Sequence, residues 1–385
     1  MSVDHASEPM QQSSPVKLPP IEGPTQPPIT AELTELYRSF EKELLIPLWY
    51  EIGDLMPANP QSKAAAHLWR WADLLPLAEQ AGRIVAVGRG GERRAIALAN
   101  PSLGGRPYIA PNLWCAIQYL GPGETAPYHR HTQNAFRFVV EGQGVWTLVN
   151  GDSVAMQRGD FLPQGSWNWH AHHNPSGNPM AWIDGLDIPF QYAAESTFFE
   201  FGPEELDNTG TPELSDSEKL WRHGGLTPLT AAGRTSPSSP LLAYRWSATD
   251  AALTGQLEVA RNRPEVLPEP GHAAVRYTNP QTARDVLPTI RTEIHRITPG
   301  TETTPIRRVG SSVYQVFDGS GRVRVGEQSW SVTRGDLFVV PSWQQFSVTS
   351  TATGSDSDSG ALDLFTFSDA PIFEALNLYR EQENA

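Results

Sequence analysis

The sequence predicts a mainly β protein of two related barrels or sandwiches with helical ends, and three observations carry this reading. Between residues 113 and 187, short β-rich runs alternate with tight turns and no helical pattern intervenes. The same texture returns at residues 291–348, about 175 residues later, with matching turn motifs. The flanking segments, residues 31–46 and 369–385, instead space their apolar residues as helices do.

Residues 1–30 form the expected flexible arm, because residues 1–28 are rich in Ser, Pro and Gln and lack the apolar stretch of a signal peptide. Thr30 is placed to cap a helix reaching about residue 46, with Leu33, Leu36, Tyr37, Phe40 and Leu44 at helical spacing and Pro47 ending it. A second helix is expected from Ala64, carrying Trp69 and Trp71, with Pro76 ending or kinking it. Residues 31–90 are therefore read as a helical segment. From residue 83 the pattern turns β, as IVAV, a glycine-rich turn at 88–92, and RRAIALA.

Residues 91–195 hold the first barrel, whose strands WCAIQYL, FRFVVEG, GVWTLV, SVAM, DFL and AWIDGLDI are separated by PGE, VNGD and RGD turns. Residues 196–285 are less periodic and are expected to wrap between the barrels, with a loop at 233–240. Residues 286–368 hold the second barrel. There ITPGTETTP matches LGPGETAP, VFDGSGRVRV matches VVEGQGVWTL, and RGDLFVVPSWQQF matches RGDFLPQGSWNWH. Residues 351–360 read as a polar loop, and Asp369 with Pro371 can start a terminal helix over 369–385.

The composition narrows the function classes. The 385 residues are 39% hydrophobic, enough for two cores. A net charge of −14 argues against nucleic-acid and anionic-membrane partners, which need clustered Lys and Arg. No apolar run reaches membrane-spanning length. Cys115 is the single cysteine, so no intrachain disulfide forms and a cytoplasmic protein is expected.

Chemistry concentrates in residues 123–174, which hold five of the ten histidines. His129 and His131 are two apart in a strand-like segment and so point to one face. His170 can join them from a neighbouring strand, giving three neutral imidazoles for a first-row transition metal. The set lacks Cys, which disfavours thiolate zinc and blue copper. Zinc would allow hydration or hydrolysis, while iron, manganese, nickel or cobalt would allow redox or Lewis-acid chemistry. In the second copy Arg307 and Val309 stand near the HxH positions and Phe346 replaces His170. His295 has no histidine beside it in sequence and reads as structural.

Neighbouring residues suggest a flat aromatic acid. Arg137 lies six residues from His131 and keeps its parity, as do Gln133 and Ala135. Trp114, Ala116 and Gln118 form a second such row, and Arg93 with Ala95 a third. An arginine fork suits a carboxylate and an indole packs against a ring. His172 shares the parity of His170, whereas His173 points away. Three neutral ligands leave a divalent metal its full charge, which favours a chelating dianion, and leave positions for such a substrate and one O₂.

The motifs G-x₅-HxH at residues 123–131 and G-D-x₂-P-x-G-x₄-H-x₃-N at residues 159–174 resemble the two cupin motifs, without the glutamate ligand that often follows HxH. With the repeat, the chain resembles a bicupin of two jelly-roll barrels. The longer segments IPLWYEIGDLMP, GRGGERRA, NPSLGG, HRHTQNAFRFVVEG, WIDGLDIPF and FVVPSW resemble the gentisate 1,2-dioxygenase family, and within it the salicylate-oxidising branch, over nearly the whole chain. That resemblance implies one Fe(II) per chain on His129, His131 and His170. It also implies a substrate carboxylate on Arg137 with Arg93 and Gln118 nearby, His172 and Asp184 serving the site, and Met56, Ala95 and Trp114 shaping the pocket. The family's reaction inserts O₂ into gentisate between the carboxyl- and hydroxyl-bearing carbons and yields maleylpyruvate. Salicylate and 1-hydroxy-2-naphthoate are further expected substrates, and a homotetramer the expected assembly. Ala116 departs from the branch, where glycine is expected, and would narrow the pocket. A non-oxidative cupin isomerase or decarboxylase, and a storage-type bicupin without a metal, are the competing readings.

Overall fold

A computed structural model of the chain describes residues 28–49, 55–88, 94–203, 210, 212–230, 236–353, 357 and 359–383. Most of the N-terminal arm and most of the turn at 88–92 lie outside them. The chain divides into two units, Met1–Asn59 and Pro60–Ala385. In the first, helix α1 (Ala31–Lys42) is capped as expected, the Thr30 hydroxyl accepting from the Leu33 amide at 3.1 Å. It ends before Pro47, because Leu44 turns left-handed at φ 55°.

The second unit is two β barrels. In chain order the first part comprises β1 (His67–Trp69), α2 (Trp71–Ile84), β2 (Ala95–Ala97), β3 (Trp114–Leu120), β4 (Thr125–His131), β5 (Ala135–Glu141), β6 (Gln143–Val149), β7 (Asp152–Gln157), β8 (Phe161–Gln164), β9 (His170–His173) and β10 (Met180–Leu186). Helix α3 (Ile188–Ala193), β11 (Phe199–Phe201), and helices α4 (Asp216–Trp221) and α5 (Trp246–Asn262) follow. The rest is β12 (His272–Arg276), β13 (Arg291–Ile297), β14 (Ile306–Arg308), β15 (Ser312–Asp318), β16 (Ser320–Val325), β17 (Gln328–Thr333), β18 (Leu337–Val340), β19 (Phe346–Ser350), β20 (Leu362–Ser368), α6 (Ala370–Ala375) and β21 (Glu381–Glu383).

The strand orders reveal the duplication. The first barrel pairs β2-β3-β10-β5-β8 with a second sheet β11-β4-β9-β6-β7. The second barrel repeats both, as β12-β13-β20-β15-β18, extended at one edge by β1, and β21-β14-β19-β16-β17. The first sheets of the two barrels pack back to back. Cys115, Ile117, Phe136, Phe138 and Ile183 share one apolar cluster with Ile294, Val313, Phe365 and Phe367. Phe138 stacks on Phe365 with centroids 3.9 Å apart. Strand β3 is therefore buried on both faces, which explains its continuous apolar run.

Both RGD turns receive a helix. Asp160 accepts from the Trp246 amide at 3.0 Å and pairs with Arg245 at 2.6 Å. Asp336 accepts from the Trp71 amide at 3.0 Å and pairs with Arg70 at 2.8 Å. Each aspartate thus caps a helix opening Arg-Trp, and each capped helix belongs in sequence to the segment before the other barrel.

Several local expectations are corrected. No helix starts at Ala64: residues 67–69 are strand β1, whose partner β18 lies far along the chain and is invisible to local periodicity. Helix α2 continues through Pro76, which forfeits only the bond to the Ala72 carbonyl near the helix start. IVAV is no strand, since Ile84 closes α2 and the Val85 amide donates back to Ala81. The middle region contains a 17-residue helix, α5, and the edge strand β12. The terminal helix spans only Ala370–Ala375, and residues after it return as β21 against β14.

Candidate metal centre and substrate pocket

His129, His131 and His170 come together on the inner face of the first barrel, buried, with one ligand nitrogen of each within 4.8 Å of the others. The chain positions them through strand pairing. His129 lies opposite His170 across β4 and β9, just past a β-bulge that shifts the register after Ala126. Backbone carbonyls hold each ring by Nδ1: Pro127 at 2.8 Å for His129, Gln133 at 3.1 Å for His131 and Asn168 at 3.0 Å for His170. An Nδ1–H donated to a carbonyl leaves Nε2 as the lone pair, which is the arrangement metal-binding histidines need. Three neutral nitrogen donors without thiolate or carboxylate fit a divalent first-row metal that keeps open positions. The centre is the one group of metal-ligating side chains found among the described residues.

The opposite sheet supplies the rest. Across it, Ala97, Ala116, Asp184, Arg137 and Leu162 are successive partners in one row. The neighbouring rows place Gln118 between Ala95 and Trp182, and Leu186 between Trp114 and Ala135. Trp114, Ala116, Ala135 and Leu186 make an apolar cluster with Ala95 packed on it. Arg137 is 3% exposed, and its Nε donates to His172 Nε2 at 3.1 Å and its Nη2 to Gln164 Oε1 at 2.6 Å. Asp184, which accepts from Trp182 Nε1 at 3.0 Å, lies 3.9 Å from the same guanidinium. Gln118 is 1% exposed and its amide nitrogen has no partner, a buried donor that a ligand would satisfy.

The histidines, Arg137, His172, Asp184, Gln118, Trp114 and Ala95 therefore all belong to the first barrel's two sheets. The reason for Arg137 differs from strand parity: the chain bends at residues 132–134 and crosses to the other sheet before β5 begins. Gln133 sits in that bend and donates to Thr197 instead. Met56 lies in the other unit and is 70% exposed there, and Arg93 lies outside the described residues. Gln164 escaped the sequence reading. It is fully buried and joins the two halves of the site, its amide nitrogen 3.1 Å from His170 Nε2. Its signal was its place in the GD-x₂-P-x-G motif, opposite Ala135.

In the second barrel Ile306 pairs with Phe346 as His129 pairs with His170, and the Arg308 carbonyl accepts from Trp343 as that of His131 does from Trp167. Ile306 and Arg308, rather than Arg307 and Val309, thus occupy the HxH positions, one residue earlier than the sequence alignment suggests. Phe346 does occupy that of His170.

Comparison with known proteins agrees with this geometry. The cupin-domain family matches residues 116–188. Gentisate 1,2-dioxygenase from Streptomyces sp is 55% identical over 90% of this chain and 94% of its own. The chain belongs to the gentisate 1,2-dioxygenase family. Another member, 5-aminosalicylate 1,2-dioxygenase from Comamonas sp, is 31% identical over 92% of this chain and 91% of its own. Among solved structures, a glycine-to-alanine mutant of salicylate 1,2-dioxygenase from Pseudoaminobacter salicylatoxidans, in complex with gentisate, superposes with a TM-score of 0.87. It is 53% identical, covering 94% of this chain and 97% of that one. Family membership and fold thus agree with the sequence resemblance. Among the described residues, no helix is long and apolar enough to cross a membrane.

Proposed function

We propose that the protein is an Fe(II)-dependent dioxygenase that inserts both atoms of O₂ into gentisate, between the carboxyl- and hydroxyl-bearing carbons, to give maleylpyruvate. The observation that carries this is one barrel interior holding three carbonyl-oriented histidines opposite a buried arginine, in a family of ring-cleaving dioxygenases. Iron bound there supplies the route by which electrons pass from the ring to oxygen.

The protein's own residues bind, orient and exclude water. Arg137 receives the substrate carboxylate, its guanidinium held in place by His172 and Gln164. His172 Nε2 accepts from Arg137 Nε, which makes His172 a positioning residue for the arginine. Asp184 offsets the arginine's charge in the buried site, and the partnerless Gln118 amide donates to a substrate oxygen. Trp114, Ala95 and Ala116 form the apolar wall against the ring. Met56 and Arg93 remain assigned to the pocket by resemblance.

Salicylate and 1-hydroxy-2-naphthoate are the second reading, supported by the salicylate 1,2-dioxygenase likeness. Ala116 tells against it as the main activity: its methyl group lies in the row of Asp184 and Arg137, where the resemblance to the salicylate branch leads us to expect glycine. Rates on the three acids, measured side by side with Fe(II)-loaded protein, test the ranking. Gentisate is expected to be fastest, and a faster rate on salicylate reverses the assignment.

A further inference from the structure

The second barrel has lost the histidines of the first but not its hollow. It holds a partly open cavity of about 400 Å³, the size of a small-ligand pocket. Arg308, in the position of His131, and His295 both line it, with Ile306, Phe346 and Leu364 supplying apolar walls. Two features set this cavity apart from a degenerate remnant.

The first is a chain of three polar side chains ending at the cavity. Glu269 Oε2 lies 2.6 Å from His272 Nδ1, and His272 Nε2 lies 2.9 Å from His295 Nδ1. Hydrogen bonds from His272 and Thr304 hold the Glu269 carboxyl down at about 2, so it is ionised and takes the His272 Nδ1 proton as its hydrogen-bond donor. The bond to His272 occupies His295 Nδ1 and leaves Nε2 as the remaining polar atom of that ring. That nitrogen is buried and makes no hydrogen bond among the described residues, with the Glu293 carboxylate 4.0 Å away. The second feature is Arg308. Among the described residues it pairs only with Glu381, by a 3.7 Å approach of Nε, and makes no side-chain hydrogen bond. A buried ring nitrogen without a hydrogen bond is costly to maintain, and Arg308, with its side chain 38% exposed, offers the same cavity a cation.

We propose that the second barrel binds a small hydroxy-carboxylate with an apolar body, its carboxylate on Arg308 and its hydroxyl hydrogen-bonded to His295 Nε2, without a metal. The site is separate from the three-histidine centre and does not depend on the reaction assigned there.

The probe is 4-hydroxybenzoate, whose carboxyl and hydroxyl groups are too far apart to chelate one metal. Equilibrium dialysis of the full-length protein is compared with that of Arg308→Gln. The wild type should bind one more molecule per chain than the variant, or bind it about 10–100-fold more tightly, as expected for a charge-assisted contact. A crystal soaked in the same acid should show it between Arg308 and His295. Equal stoichiometry and affinity in both proteins, or an empty second-barrel cavity in the soaked crystal, overturns the proposal. The soak decides the matter independently if Arg308→Gln does not fold.

Discussion

The three histidines and Arg137 of the first-barrel site each have a second partner that fixes what the functional atom can do. The three histidines spend Nδ1 on backbone carbonyls, so a His131→Ala variant removes a ligand without disturbing the strand bonds that shape the site. We expect that variant to fold and to lose its stoichiometric iron, read by elemental analysis beside circular dichroism. Arg137→Ala should instead retain iron and weaken gentisate binding by about 10–100-fold, the range for a charge-assisted hydrogen bond. Iron content and substrate titration on the same preparation separate the two effects, and iron loss in Arg137→Ala would contradict its placement. The ligands were legible in the sequence because a two-residue spacing on a strand is a local fact. Gln164 was not, because its role depends on Arg137 and His170 meeting it from two different strands.

At the scale of elements, turns and caps decide where strands and helices meet. Gly159 sits at φ 85°, and a Cβ there would lie 2.7 Å from Trp246 and 2.9 Å from Phe317. Gly151, at φ 91°, has nothing within 4 Å. Gly159→Ala should therefore destabilise the protein by about 3 kcal/mol or more, against about 1 kcal/mol for Gly151→Ala, which meets only backbone strain. Thermal or urea unfolding of the pair tests this, and equal losses would refute the docking of α5 on the RGD turn. Asp369, at the start of α6, offers a pH test. Burial raises its carboxyl to about 6 although Ser311 and Asn112 donate to it. A raised acid favours folding below its unfolded value, and that contribution is lost as pH rises through about 6. The stability of Asp369→Asn relative to wild type should thus improve between about pH 4 and pH 6, and a flat difference would show that the carboxyl is not desolvated. These junctions were half legible. The RGD motifs announced turns, but which helices they capped depended on Arg70 and Arg245, each distant in sequence from its aspartate.

The whole molecule explains why a barrel without metal ligands persists in the fold. Its first sheet is the other wall of the shared core, where Phe365 stacks on Phe138 behind the strand that carries Arg137. Phe365→Ala should cost about 3–5 kcal/mol. It should couple with Phe138→Ala in a double-mutant cycle, because each variant removes the same stack. Additive losses would indicate two independent cores. We read the repeating unit as larger than a barrel, since an Arg-Trp helix and an edge strand precede each copy and a short edge strand closes it. The repeat itself was visible in the sequence through its turn motifs. The exchange of helices between barrels was not, because local periodicity records which face is buried but not what buries it.

If the proposed function holds, the three-histidine centre opposite Arg137 consumes O₂ to open an aromatic ring. Oxygen-electrode measurement on purified protein loaded with Fe(II) tests it most directly. One O₂ should be consumed per gentisate, with a product absorbing in the near ultraviolet and no turnover under anaerobic conditions. Turnover without O₂ would indicate a non-oxidative cupin, and no O₂ uptake with gentisate, salicylate or 1-hydroxy-2-naphthoate would contradict the assignment.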